Sequence, residues 1–217
     1  MSDRIFNFAA GPATLPLPVL EHAQRDLVSL PGIGASPLEV SHRSSWFEDV
    51  IGEARANLRS LLAIPDSHHI VFCQGGASMQ FSMVPMNFLR GRDQPAAYAV
   101  TGSWGARAAT EAEKEGSARV VWSGKDEGFV RVPSGDELTA TLNDEPAYLH
   151  ITSNETIHGV EFPATPAVPS NVPLISDSSS DFLSRPVDMA RHALLYAGAH
   201  ALADFMGAFA DAERSAV

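Results

Sequence analysis

Apolar and polar positions follow two rhythms along this chain. From Leu17 to Leu30 the spacing is helical, opened by Pro16 and Pro18 and closed at Pro31-Gly32. A second helix is better marked, with Phe47, Val50, Ile51, Ala54, Leu58, Leu61 and Leu62 recurring on one face. Ser45 with Glu48 reads as its capping box, and Pro65 ends it. Beyond Pro65 short apolar runs alternate with helical segments. Ile70 to Cys73 reads as a short buried strand, followed by a turn at Gln74-Gly75-Gly76-Ala77-Ser78 and a helix through Leu89 that Pro85 could kink. Ala97 to Val100 reads as the next strand, then Thr101-Gly102-Ser103 and a helix from Trp104 to Glu115, closed by Gly116. Further strands are expected at Arg119 to Trp122, Tyr148 to Thr152, Leu174 to Ser176 and Ala193 to Tyr196. Four prolines between Pro163 and Pro173 predict an extended connection over the surface. The pattern predicts an α/β fold, a mostly parallel sheet flanked by helices. In such sheets ligands sit beyond the carboxyl ends of the strands.

Composition narrows the function. The formal net charge of −11, with no basic cluster, argues against nucleic acid as a partner. No apolar run reaches the ~18 residues of a membrane span, and Met1 to Phe8 lacks the pattern of a signal peptide. The expected location is the cytoplasm. The single Cys73 excludes an internal disulfide and a cysteine-based zinc site, and no metal centre is expected. Lysine occurs only as Lys114 and Lys125.

The polar clusters fall at expected strand ends, and each admits two readings. Gly75-Gly76-Ala77-Ser78 would let backbone N–H groups approach an anion at a helix N-terminus, or is a tight turn. It is neither a P-loop nor a dinucleotide fingerprint. Trp104 could stack on a flat ring or fill the core. Asp177 could hold a protonated ring nitrogen or cap a turn. Asn154-Glu155-Thr156 offers polar groups at another strand end, or is a solvated loop. Arg43, in Ser41-His42-Arg43-Ser44, could grip a carboxylate or sit in an exposed ion pair.

The ordered set of motifs is more specific than any member of it. Phe6-Asn7-Phe8-Ala9-Ala10-Gly11-Pro12-Ala13-Thr14-Leu15-Pro16 resembles the opening of phosphoserine aminotransferases. So do Glu39-Val40-Ser41-His42-Arg43-Ser44, Gln74 through Phe81, and Thr101-Gly102-Ser103-Trp104. The resemblance runs on through Asn154 to Val160 and Leu183 to Asp188, and ends at Tyr196-Ala197-Gly198-Ala199. It implies the large cofactor domain of a fold-type-I pyridoxal 5'-phosphate enzyme, normally a homodimer. The implied reaction moves an amino group between glutamate/2-oxoglutarate and phosphoserine/3-phosphohydroxypyruvate, in serine biosynthesis. Carried over by position, Ala77 and Ser78 hold the cofactor phosphate, Trp104 stacks on the ring, Thr156 reaches its phenolic edge and Asp177 keeps its nitrogen protonated. Arg43 holds a substrate carboxylate, with His42 and Ala10 beside it.

The chain then departs from the family. Where the family continues Gln-Lys-Asn, this sequence has His200, Ala201 and Leu202. His200 stands in place of a glutamine that helps hold the phosphate, and Ala201 in place of the Schiff-base lysine. No intact catalytic residue is therefore expected. Residues 201–217 form an alanine-rich tail unlike the family, so the large domain is expected to be partial over 1–200, with the small C-terminal domain absent. The abrupt change suggests a frameshift or premature stop. Two alternatives stand beside an active transaminase. One is a pseudoenzyme that binds the cofactor non-covalently or pairs with an intact subunit; the other is a different aminotransferase of the same class.

Overall fold

In the computed structural model, residues 4–8 and 14–198 are described. The chain divides into two compact units that part between Ile70 and Val71. In the first, α1 spans Leu17–Asp26 with Pro18 in its first turn, shorter than the expected segment to Leu30. Helix α2 spans Ser45–Leu61. Its cap is Ser44, not Ser45: the extended Ser44 accepts from Phe47 N at 3.2 Å. Phe47 is therefore the third helical residue, Glu48 falls one position too late, and the expected capping box does not form. Ala54 and Leu58 are buried as the periodicity requires, whereas Leu61 is exposed. After α2 the Arg59 guanidinium donates to the carbonyls of Ile64, Pro65 and His68, tying down the chain that Pro65 turns.

The second unit is built on a five-stranded, wholly parallel sheet. Helix α3 (Gly76–Phe88) precedes β1 (Ala96–Val100), and α4 (Ser103–Ala112) leads to β2 (Ala118–Ser123). A short α5 (Gly135–Ala140) precedes β3 (Leu149–Thr152). A small hairpin of β4 (Asn154–Glu155) and β5 (Val160–Glu161) follows, then β6 (Leu174–Asp177) and β7 (His192–Tyr196). The sheet order is β2-β1-β3-β6-β7. Alternation along the strands divides the core. Tyr98, Val100 and Ile175 face one side with Phe81 of α3 and Ala108 and Ala109 of α4. Ala97, Ala99, Leu149, Ile151 and Leu174 face the other, against Leu138 of α5.

Three further features were not as read from the sequence. Residues 70–73 join no β-ladder among the described residues, and Val71 is 71% and Phe72 43% exposed. An apolar run carries no address for a partner strand, and without a ladder it stays in solvent. The proline-rich connection is irregular as expected but does not merely cross the surface, because it seats Val168 and Val172 in the core. Helix α5 and its capping box of Ser134 and Glu137 were not read from the sequence, six residues being too short for a clear period.

Candidate active site

The chain leaves β1 through α4 to β2 on one flank, while β3, β6 and β7 are added on the other. The strand order therefore reverses between β1 and β3, and ligands of open parallel sheets bind at such a point. Beyond the strand ends there lie Thr101-Gly102 after β1, Ser153 to Thr156 after β3, Asp177 closing β6 and Ala197-Gly198 after β7.

Glu155 organises the first corner. Fully buried, it accepts from Trp104 N at 3.1 Å through Oε2 and from Gly105 N at 2.7 Å through Oε1. Its charge thus meets the positive end of α4 and satisfies two donors the helix leaves open. Trp104 is half-buried and packs against the core cluster, which leaves part of the side chain in contact with solvent. Beside Glu155, the Thr156 hydroxyl donates to Ser180 Oγ at 2.7 Å, linking the β4–β5 hairpin to the loop after β6.

Asp177 is 4% exposed. Its Oδ1 accepts from Ser179 N at 3.0 Å and from Ser179 Oγ at 2.6 Å. Its carbonyl accepts from Ser153 N at 2.9 Å, while the Ser153 hydroxyl has its shortest contact with the Asp181 carboxylate. Burial pushes the carboxyl up from its ordinary range; the Ser179 bonds oppose this, and the Glu155 and Asp181 charges add to it. Among the described residues no Lys, Arg or His forms an ion pair with Asp177; Arg185 is engaged by Asp181 and Glu161 instead.

The third corner is the start of α3. Gly75 caps it in the left-handed region (φ 100°), and among the described residues no side chain caps its first N–H groups. Ala77 and Ser78 lie in that uncapped turn. The chain leaving β7 passes close by: a Cβ on Gly198 would sit 3.1 Å from Ala77 Cβ and 3.2 Å from Ala77 N. Gly198 N in turn donates to Ser179 Oγ at 2.8 Å. The uncapped turn and Asp177 are thus joined through two residues.

Under this site lies a buried aromatic cluster. His150 Nε2 is hydrogen-bonded to the Tyr196 hydroxyl at 2.8 Å and stacks on Tyr98 at 5.0 Å, and Tyr98 meets the Tyr148 hydroxyl at 2.7 Å. Burial drives the His150 pKa down to about 3, so the ring is neutral. Burial likewise raises Tyr148 to about 12 and Tyr196 well above its ordinary value.

Of the residues singled out from sequence, Ala77, Ser78, Trp104, Thr156 and Asp177 all lie beyond the carboxyl ends of the strands of one unit. His42 and Arg43 are exposed in the other unit. Arg43 makes no ion pair among the described residues, so the alternative of an exposed ion pair is not met there. Ala10, His200 and Ala201 fall outside the described residues. Sequence reading missed Glu155 as a helix cap, His150, and Ser179. The Asp-x-Ser spacing of Asp177 and Ser179 was a usable turn signal; the Glu155 contact, across about 50 residues, left none.

Residues 5–204 match the aminotransferase class-V family model. The chain belongs to that family. Among class-V relatives, the phosphoserine aminotransferase of Laribacter hongkongensis is 51% identical over 195 residues, covering 90% of this chain and 53% of that protein. Phosphoserine aminotransferase 1, chloroplastic, of Arabidopsis thaliana is 48% identical, covering 91% and 45%. The solved phosphoserine aminotransferase of Bacillus circulans subsp. alkalophilus superposes with a TM-score of 0.86 at 48% identity, covering 92% of this chain and 54% of that one. A Nostoc alanine–glyoxylate aminotransferase, 18% identical with a TM-score of 0.62, shares the fold alone. This class-V chain spans about half the length of the curated relatives it matches.

Proposed function

We propose that the strand-end site holds pyridoxal 5'-phosphate, and that the chain carries the cofactor half of a phosphoserine aminotransferase. The observation that carries this reading is Asp177: a buried carboxylate at the carboxyl end of β6 which, among the described residues, has no cationic partner and lies beside a helix N-terminus without a side-chain cap. A protonated ring nitrogen would supply the missing cation, and a phosphate would meet the free N–H groups of α3. The residues present fit the group. When bound, the cofactor supplies an electron sink for carbanion chemistry on an amino acid.

The chain's own residues would divide the work. Ala77 and Ser78 offer backbone donors to the phosphate, and Trp104, fixed at its amide by Glu155, offers a ring face. The Thr156 hydroxyl would reach the phenolic edge, and Asp177 would hold a proton at the ring nitrogen. In the whole protein the reaction would be amino transfer between glutamate/2-oxoglutarate and phosphoserine/3-phosphohydroxypyruvate, with Arg43, His42 and Ala10 at the substrate and His200 toward the phosphate. The family resemblance extends this reading to a homodimer in the cytoplasm. Among the described residues no helix is long and apolar enough to cross a membrane.

Ala201 favours a second reading for this chain as it stands. Lacking the family's lysine, it would hold the cofactor non-covalently as a pseudoenzyme or as the partner of an intact subunit. A titration of the purified chain with pyridoxal 5'-phosphate, followed by Trp fluorescence and repeated in Asp177→Asn, tests the cofactor site. Saturable quenching weakened at least tenfold in the variant is expected, and equal binding by both proteins would refute the site. An assay of phosphoserine formation separates the two functional readings.

A further inference from the structure

We infer that Ser179 is the positioning residue that sets the orientation of the Asp177 carboxylate, engaging Oδ1 and leaving Oδ2 to face the ligand. The inference rests on the cofactor reading above for the identity of that ligand. The backbone at Asp177 is fixed from both sides. Ser153 N donates to its carbonyl at 2.9 Å, and the next amide, Ser178 N, donates to the Tyr196 carbonyl at 2.8 Å. A fixed backbone does not fix the carboxylate, because rotation about its last bond is broad and roughly two-fold. Ser179 removes that freedom by placing two donors, its amide and its hydroxyl, on the same oxygen, Oδ1.

The direction of the hydroxyl is also set. Gly198 N–H can only donate, so Ser179 Oγ accepts from it, and the one hydroxyl hydrogen goes to Asp177. Among the described residues Oδ2 accepts no hydrogen bond, and it is the oxygen left for a cation. The Ser179 bonds favour the ionised carboxyl against the effect of burial, the state needed to hold a protonated ring nitrogen. Through Gly198, whose close approach to Ala77 admits no larger residue without displacement, the same serine ties the carboxylate to the start of α3.

The test compares the full chain with Ser179→Ala, the near-isosteric Ser179→Cys and the hydroxyl-retaining Ser179→Thr. The Asp177 carboxyl is titrated by carbon-13 NMR without cofactor, its signal assigned by its loss in Asp177→Asn. Pyridoxal 5'-phosphate affinity is then measured by fluorescence. The Ala and Cys variants are expected to titrate at higher pH than the wild type and to bind the cofactor roughly tenfold more weakly, with Thr close to wild type in both. A serine needed only for folding would leave the carboxyl titration of the folded Cys variant at the wild-type position, and that result overturns the inference. If the wild-type chain binds no cofactor while the titration shifts as expected, the cofactor reading falls and the role of Ser179 stands.

Discussion

A Cβ placed on Gly102 would lie 2.5 Å from Glu155 Cδ, closer than side-chain atoms approach. Gly102 is extended (φ 178°), so glycine is required there by the space Glu155 occupies and not by backbone strain. The acid that caps α4 sits where any side chain at 102 would be. Gly102→Ala is therefore expected to destabilise the protein by about 1–3 kcal/mol and to shift the Trp104 emission. Glu155→Gln, which turns an amide NH2 toward two N–H donors, is expected to cost about as much. Because both act on one contact, the effect of Gly102→Ala should shrink when Glu155 is already alanine. Urea unfolding of the single and double variants measures this; strict additivity would place the strain elsewhere.

A second expectation concerns acid. His150 is held neutral by burial, and its Nδ1 has no hydrogen-bond partner among the described residues. The folded ring binds a proton less readily than the unfolded one. Its stabilising contribution is whole above the unfolded value of 6.5 and is lost as pH falls through the folded value of about 3. The loss should reach on the order of 3 kcal/mol between about pH 7 and pH 4. Asp177, raised by burial, works with the opposite sign, so the informative quantity is a difference between proteins. His150→Phe should be less stable at neutral pH but show a visibly flatter pH dependence of unfolding. Parallel curves would mean that the wild-type ring is protonated or exposed before unfolding.

Edges of the sheet lead to a third. The outer side of β7, His-Ala-Leu-Leu-Tyr, has no ladder partner among the described residues, and Val71 nearby in sequence to the site is largely exposed. Unpaired backbone flanked by apolar side chains invites pairing with another chain. Sedimentation velocity is expected to show association that grows with protein concentration. Ala193→Lys combined with Val71→Asp should reduce it. A monomer unchanged across a hundredfold concentration range would show that the edge is protected.

How much of this was legible beforehand follows from the range of each interaction. The alternation of strands and helices pointed to the parallel sheet, and β1, β3 and β6 are indeed buried on both faces, although His150, Thr152, Ser176 and Asp177 make β3 and β6 half polar. That Ala77, Trp104, Thr156 and Asp177 fall near strand ends was legible because strand ends and small residues before helices are local signals; their roles came only from the family resemblance. What could not be read was long-range. Residues 70–73 had the composition of a strand but no way to name a neighbour. Glu155 looked like a loop residue because the amides it caps lie on another element. His150 looked like any strand residue until Tyr98 and Tyr196 enclosed it. The cap of α2 was misplaced by one residue, since Ser44 and Ser45 are chemically identical and only the extended backbone of Ser44 distinguishes them.

The last expectation is that this chain forms no covalent link to pyridoxal 5'-phosphate and makes no phosphoserine. A link requires a lysine amine held against the cofactor aldehyde. Ala201 offers a methyl group, and only two lysines occur in the sequence. Lys114 follows the far end of α4, roughly 15 Å along the helix axis from Trp104 at 1.5 Å per residue, and its ammonium is paired with Glu111 at 2.7 Å. Lys125 follows β2, an edge strand separated from β6 and Asp177 by β1 and β3. Neighbouring strands lie about 4.8 Å apart, so three intervals put its backbone roughly 14 Å away across the sheet. Neither amine lies near the strand-end site proposed for the cofactor. Borohydride reduction in the presence of the cofactor, followed by peptide mass spectrometry, should give only scattered, substoichiometric labelling. Stoichiometric label at Lys114 or Lys125, together with phosphoserine formation above the rate of free cofactor, would show that a surface lysine has taken over the missing role.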